Sequence, residues 1–142
     1  MAESSCQLDA LQEKLKDIRP GDTVVLEDGT SVDQSITIDI DGESDRPIRI
    51  RAMNPGKVVL TGQSTVCVTG KHLSLEGLRF ERCTLEDSCM VLDGARDCRV
   101  VDCRFVHSGG KRAAISIQGT AARNTIERCE FAHLEQRSIQ VI

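Results

Sequence analysis

Apolar and polar residues alternate in short stretches along the second half of the chain, and these stretches recur at a nearly constant spacing. Each of three segments contains an apolar residue, any residue, a glycine, a short polar turn and a strand that leads to a phenylalanine. The segments are 68–83, 92–108 and 117–134. Their phenylalanines, Phe80, Phe105 and Phe131, are separated by 25 and then 26 residues. A repeat of this length, made of strands and tight turns, is typical of a solenoid.

When the segments are aligned on phenylalanine, other residue types also fall into columns. The columns are Leu75, Val100 and Ile126; Leu78, Cys103 and Cys129; and Gly70, Gly94 and Gly119. One coil cannot bury its own apolar face, whereas coils stacked about 4.8 Å apart bury like residues on like residues. The pattern therefore predicts an all-β fold, a right-handed parallel β-helix. The nearest alternative, a leucine-rich repeat, requires a Leu-x-x-Leu-x-Leu frame that the sequence lacks.

The first 20 residues instead have a helical period. An apolar stripe of helical spacing ends before Pro20 and Gly21, and it consists of Leu8, Leu11, Leu15 and Ile18. We expect residues 1–20 to form an amphipathic helical cap that begins at Ser4 or Ser5 and shields the first open sheet edge. Residues 21–142 then form the β-helix coils of a single domain, beginning with short strands at 23–26, 35–40, 48–51 and 58–60.

Composition and charge narrow the classes of function. The 142 residues include no tryptophan, no tyrosine and three phenylalanines, so Ile, Val, Leu and Cys must build the core. Residues 1–70 carry 7 basic and 12 acidic side chains, and residues 71–142 carry 11 and 10, which is not the strongly basic charge of a nucleic-acid-binding surface. No apolar run reaches transmembrane length and the first residues lack the apolar stretch of a signal peptide, so we expect no membrane partner. The chain is expected to be cytoplasmic, or a form from which a signal has been removed.

The seven cysteines include no Cys-x-x-Cys pair. The simplest interpretation is that cysteine serves as a small buried apolar residue. Stacked cysteines of the Cys103–Cys129 column could alternatively form a disulfide in an oxidising compartment. A zinc site is disfavoured because Cys98 and Cys103 are five residues apart and point to opposite faces of a strand, so we expect no metal site.

Basic residues recur at positions that the repeat should bring together. His107 and His133 each follow a phenylalanine by two residues, and Arg82 shares their column. A Gly-Gly-Lys-Arg loop follows His107, and a further arginine precedes the last strand. We predict that one face carries a line of substrate-binding residues, namely Arg82, His107, Lys111, Arg112, His133 and Arg137.

Less specific interpretations of these residues remain open. The histidines could be outward polar residues, or could bind a metal or a sugar carboxylate. The Gly-Gly-Lys-Arg loop could be a solvated turn, or could hold an anionic sugar because arginine presents a fork of donors to carboxylates. No base lies near Ser74, Ser116 or Thr125 in the pattern, so we predict no catalytic residue.

A predicted helix precedes Pro-Gly-Asp-Thr at 20–23, and Asp-Gly-Thr at 28–30, Pro47-Ile48 and Pro-Gly-Lys-Val-x-Leu-x-Gly at 55–62 follow. With these elements the stretch from Leu11 to Thr61 resembles the N-terminal region of family 6 polysaccharide lyases, the alginate lyase and chondroitinase B group. The likeness continues weakly through 77–80 and 124–131, so it covers most of the chain. The resemblance implies cleavage of uronic-acid polysaccharides by β-elimination. In that family, calcium held by an Asn and two Glu neutralises the carboxylate, and a Lys and an Arg move the protons.

The resemblance transfers no catalytic residue or calcium ligand to this chain. No Glu-x-Glu followed by a nearby Lys occurs, and the nearest acidic groups are Glu81 and the pair Glu86 and Asp87. In the family these groups lie on later coils, so calcium is implied by the family alone. The sequence thus indicates a β-helix module of a polyuronate lyase without its catalytic coils. The alternative is a non-catalytic scaffold that binds acidic polysaccharide or self-associates through its C-terminal coil.

Overall fold

A computed structural model describes residues 2–142. Its regular elements are almost all short parallel strands, with one short helical segment near the N-terminus. In chain order the strands are β1 (Glu3–Cys6), β2 (Thr23–Leu26), β3 (Gly29–Val32), β4 (Ser35–Ile38), β5 (Ile48–Ala52), β6 (Val58–Gly62), β7 (Thr65–Val68), β8 (Leu73–Glu76), β9 (Leu78–Leu85), β10 (Met90–Asp93), β11 (Arg99–Val101), β12 (Arg104–Val106), β13 (Gly109–Gly110), β14 (Ile115–Gln118), β15 (Thr125–Glu127), β16 (Glu130–Ala132) and β17 (Ile139–Val141).

Three parallel sheets run along the molecule, and each coil gives one strand to each sheet. The first sheet has the order β1-β2-β5-β8-β11-β15, the second β3-β6-β9-β12-β16, and the third β4-β7-β10-β14-β17. The path makes about five coils, so the parallel β-helix predicted from the repeat is confirmed.

The registers are those that the alignment on phenylalanine predicts. Phe80, Phe105 and Phe131 pair across β9, β12 and β16. Their rings stack with centroids 5.1 Å apart at both steps. Phe80 and Phe105 are fully buried. The phenylalanine stack therefore forms the aromatic part of a core whose other residues are mainly Ile, Val, Leu and Cys.

Two physical constraints explain why glycine occupies the column of Gly70, Gly94 and Gly119. A Cβ at Gly70 would lie 1.9 Å from the carbonyl oxygen of Ile40, so the neighbouring coil leaves no room for a side chain. Gly119 has φ +68°, which disfavours residues with a Cβ, and a Cβ there would lie 2.7 Å from Oδ1 of Asp93. Both positions allow the coils to approach closely at a corner.

The helical cap is shorter than the sequence predicts. Residues 3–6 form β1, which pairs in parallel with β2, so the expected helix start at Ser4 or Ser5 is wrong. The helical segment consists of a 3-10 turn (Leu8–Ala10), α1 (Leu11–Lys14) and a second 3-10 turn (Leu15–Asp17). Pairing with β2 gives the backbone of Ser4 and Ser5 sheet hydrogen bonds that an isolated helix end would leave unsatisfied. The apolar stripe is confirmed, since Leu8, Leu11 and Leu15 are all buried.

This N-terminal segment covers all three edges of the first coil. β1 extends the first sheet beyond β2. Asp9 accepts a hydrogen bond of 2.6 Å from Ser31 on β3. The side-chain amide of Gln12 donates to the carbonyl of Thr37 on β4 at 2.9 Å and accepts from its N–H at 2.8 Å. None of the helices described, over residues 2–142, is long and apolar enough to cross a membrane.

Candidate functional site

In the third, fourth and fifth coils, the turns between the second and third sheets stack on one another. They are 86–89, 107–114 and 133–138. Backbone hydrogen bonds join them: the N–H of Ala114 donates to the carbonyl of Arg137 at 2.8 Å, and that of Glu135 donates to Ser108 at 3.0 Å. The short strand β13 also pairs with the end of β9. The turns therefore form a continuous, hydrogen-bonded surface.

An open groove of about 560 Å³ lies between the second and third of these turns. The residues of the predicted binding line that border it are Lys111, Arg112 and Arg137. Glu135 also borders this groove, and together with Glu86 and Asp87 it borders a neighbouring depression that shares Lys111 with the groove. The structure thus brings three of the six predicted residues to one concave surface.

The basic side chains of the groove differ in their partners. Lys111 Nζ lies 2.8 Å from Glu86, and Arg112 Nε lies 3.8 Å from Asp87. All four of these side chains are largely exposed, so water weakens both pairs. Arg137 has no carboxylate within ion-pairing distance among residues 2–142. The groove therefore has one unpaired guanidinium and two weakly held cations.

Gln136 is a groove residue that sequence reasoning did not identify. Its Nε2 donates to the backbone carbonyl of Arg112 at 2.6 Å and so ties the two turns together. Its Oε1 is buried and has no hydrogen-bond donor within the described chain. Because this oxygen is shielded from solvent, a ligand in the groove cannot reach it unless the glutamine side chain rearranges. No local motif marks this glutamine, because its role depends on a neighbour one coil away.

The other three predicted residues form a separate column outside the groove. Arg82, His107 and His133 all have positive φ, of 55°, 49° and 53°. Arg82 lies at a β-bulge, since Leu60 pairs with Phe80 but Gly62 pairs with Cys83. The rings of His107 and His133 stack with centroids 4.6 Å apart. The predicted line of six is therefore divided into two adjacent groups.

The acidic residues near the site do not fit a calcium centre. Glu81 accepts a hydrogen bond of 2.7 Å from Arg79, which lowers the pKa of its carboxyl group. Glu86 and Asp87 face Lys111 and Arg112 instead of a shared point. Over residues 2–142, no three side chains of His, Cys, Asp or Glu converge as a metal site would require. We therefore derive no metal-dependent step for this chain.

Ion pairs along the first sheet are a second feature that sequence reasoning missed. Arg49 Nε and Nη2 donate to Glu76 at 2.9 and 2.8 Å. These hydrogen bonds lower the pKa of Glu76 and raise that of Arg49. Arg99 also pairs with Glu127, which lies on the next coil, but through Nη2 alone. The signal was present in the sequence as opposite charges one repeat apart.

Residues 6–133 match the family model described as Chondroitinase B. No curated protein matches the sequence significantly. Among solved structures, a mannuronic-acid-specific polysaccharide family 6 lyase from the human gut microbiota is 28% identical, with a TM-score of 0.82. The match covers 99% of this chain and 36% of that lyase.

Two further solved structures share the fold. A family 6 polysaccharide lyase from Pseudopedobacter saltans is 20% identical over 99% of this chain and 34% of that chain, with a TM-score of 0.83. A mutant family 6 alginate lyase is 21% identical over 83% of this chain and 21% of that chain, with a TM-score of 0.71. This chain thus spans about a fifth to a third of the length of these lyases.

Proposed function

The chain belongs to the Chondroitinase B family, and from this premise we propose that it is a β-helix module of a polysaccharide lyase that holds an acidic, uronate-containing polysaccharide. The observation that carries the proposal is the groove with the unpaired Arg137 beside Lys111 and Arg112. Its role is to bind and orient the sugar chain. The elimination chemistry is assigned to coils other than those of residues 2–142.

The chemistry of the groove supports an anionic sugar as ligand. A guanidinium presents parallel N–H donors that match the two oxygens of a uronate carboxylate. Lys111 and Arg112 are held only by exposed carboxylates, so a sugar carboxylate can replace Glu86 and Asp87 at small cost. The groove lacks aromatic residues, so charge and hydrogen bonds must supply most of the affinity.

A binding experiment tests this proposal. Mannuronate and dermatan sulfate oligosaccharides are titrated into the chain by calorimetry at low salt. Arg112→Ala and Arg137→Ala are each expected to weaken binding about tenfold, a loss of about 1.4 kcal/mol. Arg123→Ala is the matched control, because Arg123 is also an exposed arginine but pairs with Asp97 away from the groove. No binding by the unmodified chain, or equal losses in all three variants, would contradict the proposal.

A second measurement separates holding the substrate from cleaving it. β-Elimination leaves a 4,5-unsaturated uronate that absorbs in the ultraviolet, and the absence of tryptophan and tyrosine keeps the protein background low. We expect no rise in absorbance when the chain alone is incubated with alginate or dermatan sulfate and calcium. A rise would assign catalysis to residues of this chain.

Exposed apolar residues of the fifth coil favour a second candidate function, self-association. Ile139, Val141 and Ile142 are 40%, 76% and 66% exposed. Phe131 is partly exposed, whereas Phe80 and Phe105, its partners in the stack, are fully buried. We propose that this surface packs against the same surface of a second copy of the chain.

A further inference from the structure

The outer face of the first sheet has an open depression where the chain turns toward the second sheet. Its volume is about 370 Å³, and it is bordered by residues of the second, third and fourth coils. That volume lies within the range of about 300–1,000 Å³ that is usual for small-molecule sites. Each of these coils has a neighbouring coil on both sides, so the depression does not arise at an open end of the stack. None of the residues of the predicted binding line borders it.

The depression exists because one corner position lacks a side chain. Gly77, Asp102 and Arg128 occupy equivalent corners of the third, fourth and fifth coils, and all three have positive φ, of 79°, 54° and 51°. A Cβ at Gly77 would lie 3.1 Å from Cβ of Ala52 and 3.2 Å from Cα of Pro55. The close approach of the second coil therefore requires glycine here, and the surface is lower at this corner than at the next two.

Arg51 supplies an unpaired positive charge at the depression. It lies beside Glu76 in the register of β5 and β8. The carboxylate of Glu76 is already engaged, since it accepts two hydrogen bonds from Arg49 and one from Ser74. Among residues 2–142, no carboxylate lies within ion-pairing distance of Arg51. Its fork of donors is therefore open to the carboxylate of a ligand.

The other walls suit a hydroxylated ring. Met53 is 47% exposed and, with Pro55, forms an apolar wall against which ring carbons can pack. Asp102 accepts a hydrogen bond of 2.9 Å from Arg128 through Oδ1. Its Oδ2 has no donor among residues 2–142, so this oxygen can accept a hydrogen bond from a hydroxyl group.

The turn that carries Met53 is fixed by hydrogen bonds to both neighbouring coils. Nδ2 of Asn54 donates to both carboxylate oxygens of Asp28 in the first coil at 3.0 Å. The N–H of Gly56 donates to the carbonyl of Gly77 in the third coil at 3.0 Å. The apolar wall is therefore held in place without a ligand, which lowers the entropic cost of binding.

We propose that this depression binds one uronic acid residue, a hydroxylated ring with a single carboxylate. The carboxylate pairs with Arg51, and a hydroxyl donates to Asp102. The apolar carbons of the ring pack against Met53 and Pro55. Because one free cation lies beside the carboxylates of Glu76 and Asp102, a ligand with several negative charges is repelled. The site lies on a different sheet from the groove and does not depend on it.

Nuclear magnetic resonance of methionine methyl groups tests the site. The chain is labelled with ¹³C at these methyl groups, and mannuronate, mannose or acetate is titrated at low salt. We expect mannuronate to shift the Met53 signal with saturation, and mannose and acetate to bind about tenfold more weakly because they lack the carboxylate and the ring respectively. Met90 is the internal reference, because it is fully buried and should not shift. No shift at Met53, or an effect of mannose or acetate as large as that of mannuronate, would overturn the proposal.

Variants separate this site from the rest of the surface. Arg51→Gln should weaken the binding of mannuronate at Met53 about tenfold. Arg46→Gln is the matched control, because Arg46 is also an exposed arginine but pairs with Glu43 and does not border the depression. Arg137→Ala should leave the Met53 shift unchanged, and loss of the shift in that variant would assign it to the groove and overturn the proposal. A groove that binds no sugar would leave this site intact, and the three probes decide the question on the unmodified chain even if Arg51→Gln fails to fold.

Discussion

At the scale of single residues, Glu76 is held more firmly than the other acidic side chains of the outer surface. It accepts two hydrogen bonds from Arg49 and one of 2.9 Å from Ser74. Its side chain is 22% exposed, whereas that of Arg49 is 47% exposed. The bidentate geometry makes this pair stronger than an ordinary surface ion pair, although solvent still reaches the arginine.

The lowered pKa of Glu76 predicts how stability depends on pH. A carboxyl whose folded pKa lies below its ordinary value of 4.5 contributes stability above that value. The contribution disappears as the pH falls through the folded pKa. Glu76→Gln is therefore expected to lower the free energy of unfolding by about 1 kcal/mol at pH 7 and to have almost no effect near pH 2.

Urea denaturation followed by circular dichroism measures this difference at both pH values. Glu43→Gln is the control, because Glu43 pairs with Arg46 on the surface with both side chains about half exposed. That variant should change the free energy of unfolding by less than about 0.5 kcal/mol. Equal effects of the two variants, or a loss for Glu76→Gln that does not vary with pH, would contradict the prediction.

At the scale of elements, the N-terminal segment acts as the end of the solenoid. Strand β1 forms hydrogen bonds with the backbone at the open edge of β2. At β4, the side chain of Gln12 bonds both the N–H and the carbonyl of Thr37, as a neighbouring strand would. Unpaired strand edges invite pairing with other chains, so this cover also prevents association at the first coil.

Replacement of Gln12 tests that cover. Gln12→Ala removes two exposed hydrogen bonds to the backbone of Thr37 and should lower the free energy of unfolding by about 0.5–1 kcal/mol. The amide of Thr37 should also exchange with solvent faster, because it loses its acceptor. Hydrogen exchange measured by mass spectrometry reports on both effects.

Gln7→Ala is the control for the same segment. Gln7 is exposed, and its side chain makes no cap hydrogen bond to the turn that follows. This variant should leave both the stability and the exchange of Thr37 unchanged. Slow exchange of Thr37 in Gln12→Ala would show that β4 does not depend on the glutamine.

At the scale of the whole molecule, the two ends of the stack differ. The first coil is covered on three sides, whereas the fifth coil exposes Ile139, Val141 and Ile142. Stacked coils are stabilised by their neighbours, so a coil with one neighbour is the least stable. Any contact that covers the fifth coil, whether further coils or a second copy, would stabilise it.

Sedimentation tests association at this surface. We expect the chain to sediment as a dimer at high micromolar concentration and as a monomer on dilution. Val141→Lys should shift the equilibrium toward monomer, because it places a charge in an apolar contact. Val32→Lys is the control, since Val32 is 57% exposed on β3 at the other end of the stack. A chain that is monomeric at every concentration would remove self-association from the candidate functions.

The repeat in the sequence determined the fold class, the registers and the stacked core. Phe80, Phe105 and Phe131 stack as their spacing predicts, and the leucine stripe of the cap is buried as expected. These features follow from the spacing of the sequence repeat alone. Each coil repeats the same local pattern, so equivalent residues of successive coils lie over one another.

Only the tertiary structure decided where the predicted binding residues lie and which element the first residues form. The turns at 86–89, 107–114 and 133–138 differ in length, so their side chains do not follow the columns of the strands. As a result, Arg137 joins Lys111 and Arg112 in a groove, whereas Arg82, His107 and His133 remain outside it. Ser4 and Ser5 form a strand instead of a helix start because the open edge of β2, which is distant in sequence, offers their backbone hydrogen bonds.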